Sequence, residues 1–189
     1  LRGTAGEPRM LPVEEEVSYL RYSPVDARIA CALAPSPLVD DEYMYRRIHV
    51  LNADTGEVLA KLENPGKLGG LAWSPDGQNL AIKSAHDIHD PSPGRLMVAS
   101  ASGGELRDLL PELFETGAVQ SFAWKDAKTV MYVASKGVWN ELGEVSLEGK
   151  NKTLVEAGGP ILSGIKLSTD GKTAVFTADA PTHPREVFV

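Results

Sequence analysis

Apolar residues in this chain come in short runs, each closed by a polar turn rich in glycine, proline or aspartate, and helical spacing is nearly absent. The second unit shows the plan most clearly. An apolar run at 68–73 ends in Ser74-Pro75-Asp76-Gly77, where proline fixes φ, aspartate bonds back to the backbone and glycine accepts positive φ. A second run follows at 80–82, then a long polar loop at 85–94, a third run at 95–99, a Gly103-Gly104 hairpin turn and a fourth run at 105–110. The first unit repeats the plan with runs at 17–22, 28–34, 46–51 and 58–62, and the third with runs at 119–124, 129–134, 141–147 and 153–156. The fourth has runs at 161–167, 173–178 and 186–189 and no fourth member, so the pattern predicts 15 strands. Only Pro111-Glu112-Leu113-Phe114-Glu115 reads as a helical turn, with proline at a tolerated first position.

One phrase recurs at the same place in every unit: Tyr22-Ser23-Pro24, Trp73-Ser74-Pro75-Asp76-Gly77, Trp124-Lys125-Asp126 and Leu167-Ser168-Thr169-Asp170-Gly171. Its anchors are 51, 51 and 43 residues apart, and a period of roughly 40–50 residues is the mark of a propeller or related array. The expected fold is therefore all-β. It comprises about four antiparallel four-stranded blades of a partial β-propeller at 17–62, 68–110, 118–157 and 161–189, the last incomplete, in one domain. Trp73 and Trp124, at the ends of inner strands, are expected to pack between blades rather than serve as ligand platforms.

Charge and cysteine content narrow the partners. A net charge of −7 and a pI near 5.1 disfavour nucleic acid, which calls for a basic face. No run reaches the ~18 apolar residues of a membrane span, and no basic amphipathic stretch suits a membrane surface. The reading is a soluble chain, cytoplasmic or periplasmic. The single Cys31 cannot form an intrachain disulfide, and in Ile29-Ala30-Cys31-Ala32-Leu33 it reads as a buried strand residue. Residues 1–16 lack the apolar stretch of a leader, there is no initiator Met, and the apolar run at 186–189 reads as a strand. A piece of a longer protein is expected.

The phrase at 71–77, followed by Gln78-Asn79-Leu80-Ala81, resembles the repeat of TolB-like propellers and of the propeller domain in prolyl oligopeptidase-family serine peptidases. Gly137-Val138-Trp139-Asn140-Glu141-Leu142, Val145 to Gly149, residues 167–173 and the closing Thr182-His183-Pro184-Arg185-Glu186-Val187 resemble the late blades of acylaminoacyl-peptidase-type and dipeptidyl-peptidase-type members. That resemblance implies a propeller cap that gates an α/β-hydrolase domain, so that short peptides pass and folded proteins do not. The family's nucleophile sits in a Gly-x-Ser-x-Gly elbow. This sequence contains none, so no catalytic residue carries over and no cofactor is expected. The alternative is a TolB-like scaffold or binding module with no enzyme attached.

Two loops carry candidate chemistry. His86-Asp87-Ile88-His89-Asp90 offers metal-ligand residue types, with His86 and His89 as weak candidates. The same loop reads as a solvated connection, or as one in which His86 and Asp87 touch substrate or a neighbouring domain. The insertion at 37–45 is acidic and aromatic, and its Asp40, Asp41, Glu42 and Tyr43 are possible contacts for a partner domain or a cationic peptide terminus. His183-Pro184 reads as a turn before the last strand, and Asn151-Lys152-Thr153 fits a glycosylation acceptor. The pairs Gly69-Gly70, Gly103-Gly104 and Gly158-Gly159 lack the strand-to-helix context of a phosphate cradle. An open stack exposes sheet edges, so self-association is expected.

Overall fold

The computed structural model describes residues 9–189, and residues 1–8 of the segment read as leaderless lie outside it. Four antiparallel meanders follow one another. The first is β1(Glu16–Tyr22), β2(Arg28–Ala34), β3(Arg47–Asn52) and β4(Val58–Leu62), and the second is β5(Leu68–Trp73), β6(Asn79–Ser84), β7(Arg95–Ser100) and β8(Arg107–Asp108). The third is β9(Gly117–Trp124), β10(Thr129–Lys136), β11(Trp139–Ser146) and β12(Asn151–Val155), and the fourth is the three-stranded β13(Ile161–Leu167), β14(Ala174–Ala180) and β15(His183–Phe188). Among the described residues no helix is long and apolar enough to cross a membrane.

The core lies between successive sheets, and strand alternation explains how one strand serves two of them. In β10, Val130, Tyr132 and Ala134, beside Val119 of β9, face Leu96 and Val98 of the second sheet, while Met131 and Val133 face Leu162 and Ile165 of the fourth. Middle strands sandwiched on both faces read as continuous apolar runs, as in Ala30-Cys31-Ala32-Leu33-Ala34, all of them buried. Cys31 is fully buried with Leu33 and Leu51 under Val13 of the N-terminal segment. Burial pushes its thiol up to about 11, as befits a structural cysteine.

The recurring phrase is the joint between sheets. The indole of Trp73 donates from Nε1 to the carbonyl of Arg21 at 2.9 Å, and that of Trp124 to the carbonyl of Ala72 at 3.0 Å. Each acceptor immediately precedes the anchor of the preceding unit. Leu167 has no such donor; there, Ile165 N–H donates to Ser121 Oγ at 2.7 Å, turned outward by a bulge between Ser163 and Ile165. The turns repeat as well. Ser74 Oγ donates to Asp76 Oδ1 at 2.6 Å and accepts from Asn79 N–H at 2.9 Å, and Ser168 does the same with Asp170 and Thr173 at 2.6 and 3.0 Å. Gly171, at φ +68°, sits against the carbonyl of Lys125, where a Cβ would come within 2.1 Å of the oxygen.

Three expectations are corrected. The insertion at 37–45 is not all loop, because Val39–Met44 forms helix α1. Its acidic first turn, Asp40, Asp41 and Glu42, complements the amino-terminal dipole, a local signal that the apolar-run pattern does not register. The run at 105–110 yields only two strand residues, since Leu109 and Leu110 turn inward as buried core and lead into a 3-10 turn at Pro111–Glu115. His183 and Pro184 belong to β15 itself, a placement open to proline on an edge strand.

Candidate functional site

The inner strands lie side by side and point the same way, because the indole bonds join their C-terminal ends. Turns between the first and second strands of each sheet therefore share one end of the stack. The connections between second and third strands share the opposite end with the links between sheets. Contacts agree: Ala85 N–H donates to Lys67 O at 2.8 Å, and the carbonyl of Asp87 lies against Gly66.

That second end gathers exposed apolar side chains. Leu38, Val39, Tyr43 and Tyr45 come from the β2–β3 connection, Ile88 from β6–β7, and Val138 and Trp139 from the β10–β11 hairpin. Both loops singled out in the sequence are here. Asp41 Oδ2 accepts from Ser36 Oγ at 2.5 Å, and Glu42 lies 3.6 Å from Arg46, while Asp40 and Tyr43 face solvent. In the loop at 85–94 the carboxylates serve the backbone: Asp87 Oδ1 accepts from His89 and Asp90 N–H at 2.7 and 3.0 Å, and Asp90 accepts from His86 and Ser92 N–H at 2.9 and 3.0 Å. Those bonds hold the Asp90 carboxyl below the usual range against the opposing effect of burial. No group of three His, Cys, Asp or Glu side chains placed to hold a metal occurs among the described residues.

A cleft of about 390 Å³ lies where β1, β5, β9 and β13 converge. Among the described residues its charged lining is Arg21, Lys83 and Lys166, with no carboxylate. Lys83 Nζ donates to Gln120 O at 2.9 Å, and partial burial lowers its pKa. Gly70, at φ +148° in a bulge of β5, leaves its side of the cleft open. Tyr19 lines the same cleft with φ +52°, a left-handed conformation that costs a non-glycine residue on the order of 1–3 kcal/mol. It is held by the bulge between Ser18 and Arg21 and by Arg46, whose guanidinium lies 5.2 Å above its ring. Sequence reading passed over this cationic set because its members are more than 60 residues apart in two steps, 21 to 83 to 166. The one local signal is the lysine that continues the apolar strand Leu80-Ala81-Ile82.

No family model and no curated protein matches the chain. Solved structures do resemble it. A TolB protein from Agrobacterium tumefaciens superposes with TM-score 0.63 at 15% identity, over 93% of this chain and 58% of that one. The tricorn protease gives TM-score 0.66 at 14% identity, over 89% of this chain and 16% of that one. An oligogalacturonate lyase from Vibrio parahaemolyticus gives 0.59 at 18%, over 82% and 45%. The chain thus spans little more than half of the TolB structure it resembles, and at these identities the likeness shows the fold, a TolB-like β-propeller.

Proposed function

We propose that this chain is the non-catalytic propeller portion of a serine peptidase that acts on short peptides. The end bearing α1 and the 85–94 loop meets an α/β-hydrolase domain, and the axial cleft admits peptides by their anionic terminus. The observation that carries this reading is the concentration of exposed apolar side chains, Leu38, Val39, Tyr43, Tyr45, Ile88, Val138 and Trp139, on the connections at one end of successive blades. Exposed apolar groups gathered in this way mark an interaction surface. The basic cleft of an otherwise acidic chain suits a peptide carboxylate. The fold is also shared with part of a protease.

Two measurements test it. The reading frame following Val189 is expected to encode further blade sequence and a Gly-x-Ser-x-Gly segment; a frame without one overturns the peptidase assignment. Nuclear magnetic resonance titration with a tripeptide is expected to shift the amides around Arg21 and Lys83, and the C-terminally amidated tripeptide to shift them far less. Equal shifts sink the carboxylate reading.

A binding scaffold with no enzyme is the second reading, favoured by the TolB structure's match to 93% of the chain. For the 189-residue chain by itself we propose that two copies associate through β15, which lies at a sheet edge and presents Val187, 70% exposed. A monodisperse monomer in light scattering would count against it.

A further inference from the structure

Because β8 stops after Arg107–Asp108, the outer part of the second sheet does not cover the third. The chain instead crosses through Leu109 and Leu110 into the 3-10 turn at Pro111–Glu115, leaving a cleft of about 540 Å³ at the rim. That volume falls within the ~300–1,000 Å³ of small-ligand sites.

Its buried apolar lining is Leu109, Leu110 and Leu113. The wall on the third sheet is polar and built. Gly143, opposite Tyr132 in register, lets the tyrosine ring lie across β11; a Cβ there would come within 2.5 Å of the ring. The Tyr132 hydroxyl so placed lies 2.8 Å from Asn151 Oδ1 and 3.4 Å from Glu141 Oε1. The Glu141 side chain, only 3% exposed, is paired with Lys136 Nζ at 2.8 Å. The facing wall adds Asp108 and Glu112. Among the described residues three carboxylates line the cleft against the Lys136 ammonium, which Glu141 already engages, and the Arg95 guanidinium acts on Asp108 as well, so the balance stays negative by one charge. Burial holds the Asp108 carboxyl above its usual range, the mark of a partly desolvated charge that a cation placed beside it would compensate.

We propose that this rim cleft binds an organic cation, a primary ammonium or guanidinium on an apolar stem, with the stem along Leu110 and Leu113 and the charge between Asp108 and Glu112. The lining is opposite in sign to the axial cleft, and the proposal does not depend on any attached domain or on the function proposed above.

The probe is hexylammonium, titrated into the chain by calorimetry and by amide resonance shifts, with hexanol and hexanoate as isosteric controls. Hexylammonium should bind saturably and shift the amides of Leu110 and Glu112, at least about 10-fold more tightly than hexanol, as a charge-assisted contact requires. Asp108→Asn and Glu112→Gln should each weaken it several-fold without lowering the melting temperature, which separates lost binding from lost folding. A capped Gly-Lys-Gly peptide distinguishes the sources. Binding as tight as hexylammonium assigns the site to a protein or peptide side chain, and weaker binding to a free amine. Equal affinity for hexanol, absent binding, or variants that bind like the parent protein would overturn the proposal.

Discussion

Trp124 donates its indole N–H to the carbonyl of Ala72, 52 residues earlier, and so bonds the third sheet to the second. The acceptor is a strand residue beside the buried Trp73, so a mutant without the N–H leaves that carbonyl without its indole donor. Trp124→Phe should cost about 1–3 kcal/mol in urea unfolding followed by circular dichroism. Trp73→Phe should cost at least as much, because the Arg28 guanidinium also lies 5.0 Å over that ring. Two variants as stable as the parent would show that the indoles merely fill space.

Tyr132 offers a test at high pH. Burial pushes its hydroxyl up to about 12. An unfolded tyrosine ionises near ~10, so between those values the folded state keeps a proton that the unfolded state has lost. Its contribution is complete below pH ~10 and disappears as pH climbs toward 12. Subtracting the ultraviolet titration of Tyr132→Phe from that of the parent isolates this hydroxyl. The difference should rise near pH 12, and a midpoint at the ordinary value would mean that the hydroxyl is solvated.

The two Ser-Asp turns share bonds but not burial. Ser74 is fully buried and Ser168 is exposed. Removing the buried Ser74 hydroxyl leaves Asn79 N–H without that acceptor at a half-buried position, whereas water replaces Ser168 Oγ at Thr173 N–H. Ser74→Ala should therefore cost about 1–3 kcal/mol and Ser168→Ala under about 1, read from the midpoints of chemical denaturation. Equal costs would make the turn geometry, not burial, the deciding factor.

Asp108→Asn should stabilise the protein at neutral pH. Asparagine keeps the oxygen that accepts from Leu110 N–H at 2.8 Å. The carboxyl it replaces has a folded pKa raised above 3.8, chiefly by desolvation. Its favourable contribution is therefore complete below 3.8 and lost as pH rises through the folded value. The gain in melting temperature at pH 7 should stay within ~2 °C, since water screens a partly open carboxyl, and should shrink toward pH 3. A variant that melts lower at pH 7 would point instead to an ion pair at Asp108.

The strand plan was legible because the first three blades bury their middle strands on both faces and the turns close with Ser, Asp and Gly, signals contained within a few residues. Trp73 and Trp124 could be assigned to packing from their place at strand ends, though their bonds to Arg21 and Ala72 could not be read there. The helix at Val39–Met44 escaped because its evidence is electrostatic, three acids in one turn, on an element with no buried residue to give it a hydrophobic stripe. The clefts escaped for a different reason. Arg21, Lys83 and Lys166 converge only when four inner strands meet, and Tyr132, Glu141 and Asn151 only across three strands of one sheet. A lone glycine opposite an aromatic, Gly143 against Tyr132, is the nearest thing to a sequence trace of the rim cleft.

The inner-strand bonds have a direction. Trp73 reaches back to Arg21, Trp124 to Ala72 and Ile165 to Ser121, so in each case the donor is synthesised after its acceptor. A ribosome adding about 5–20 residues per second needs several seconds for each interval of 43 or 51 residues between anchors. Each sheet can therefore emerge onto a neighbour that already presents the waiting oxygen, and the stack can grow during translation by docking onto finished surface.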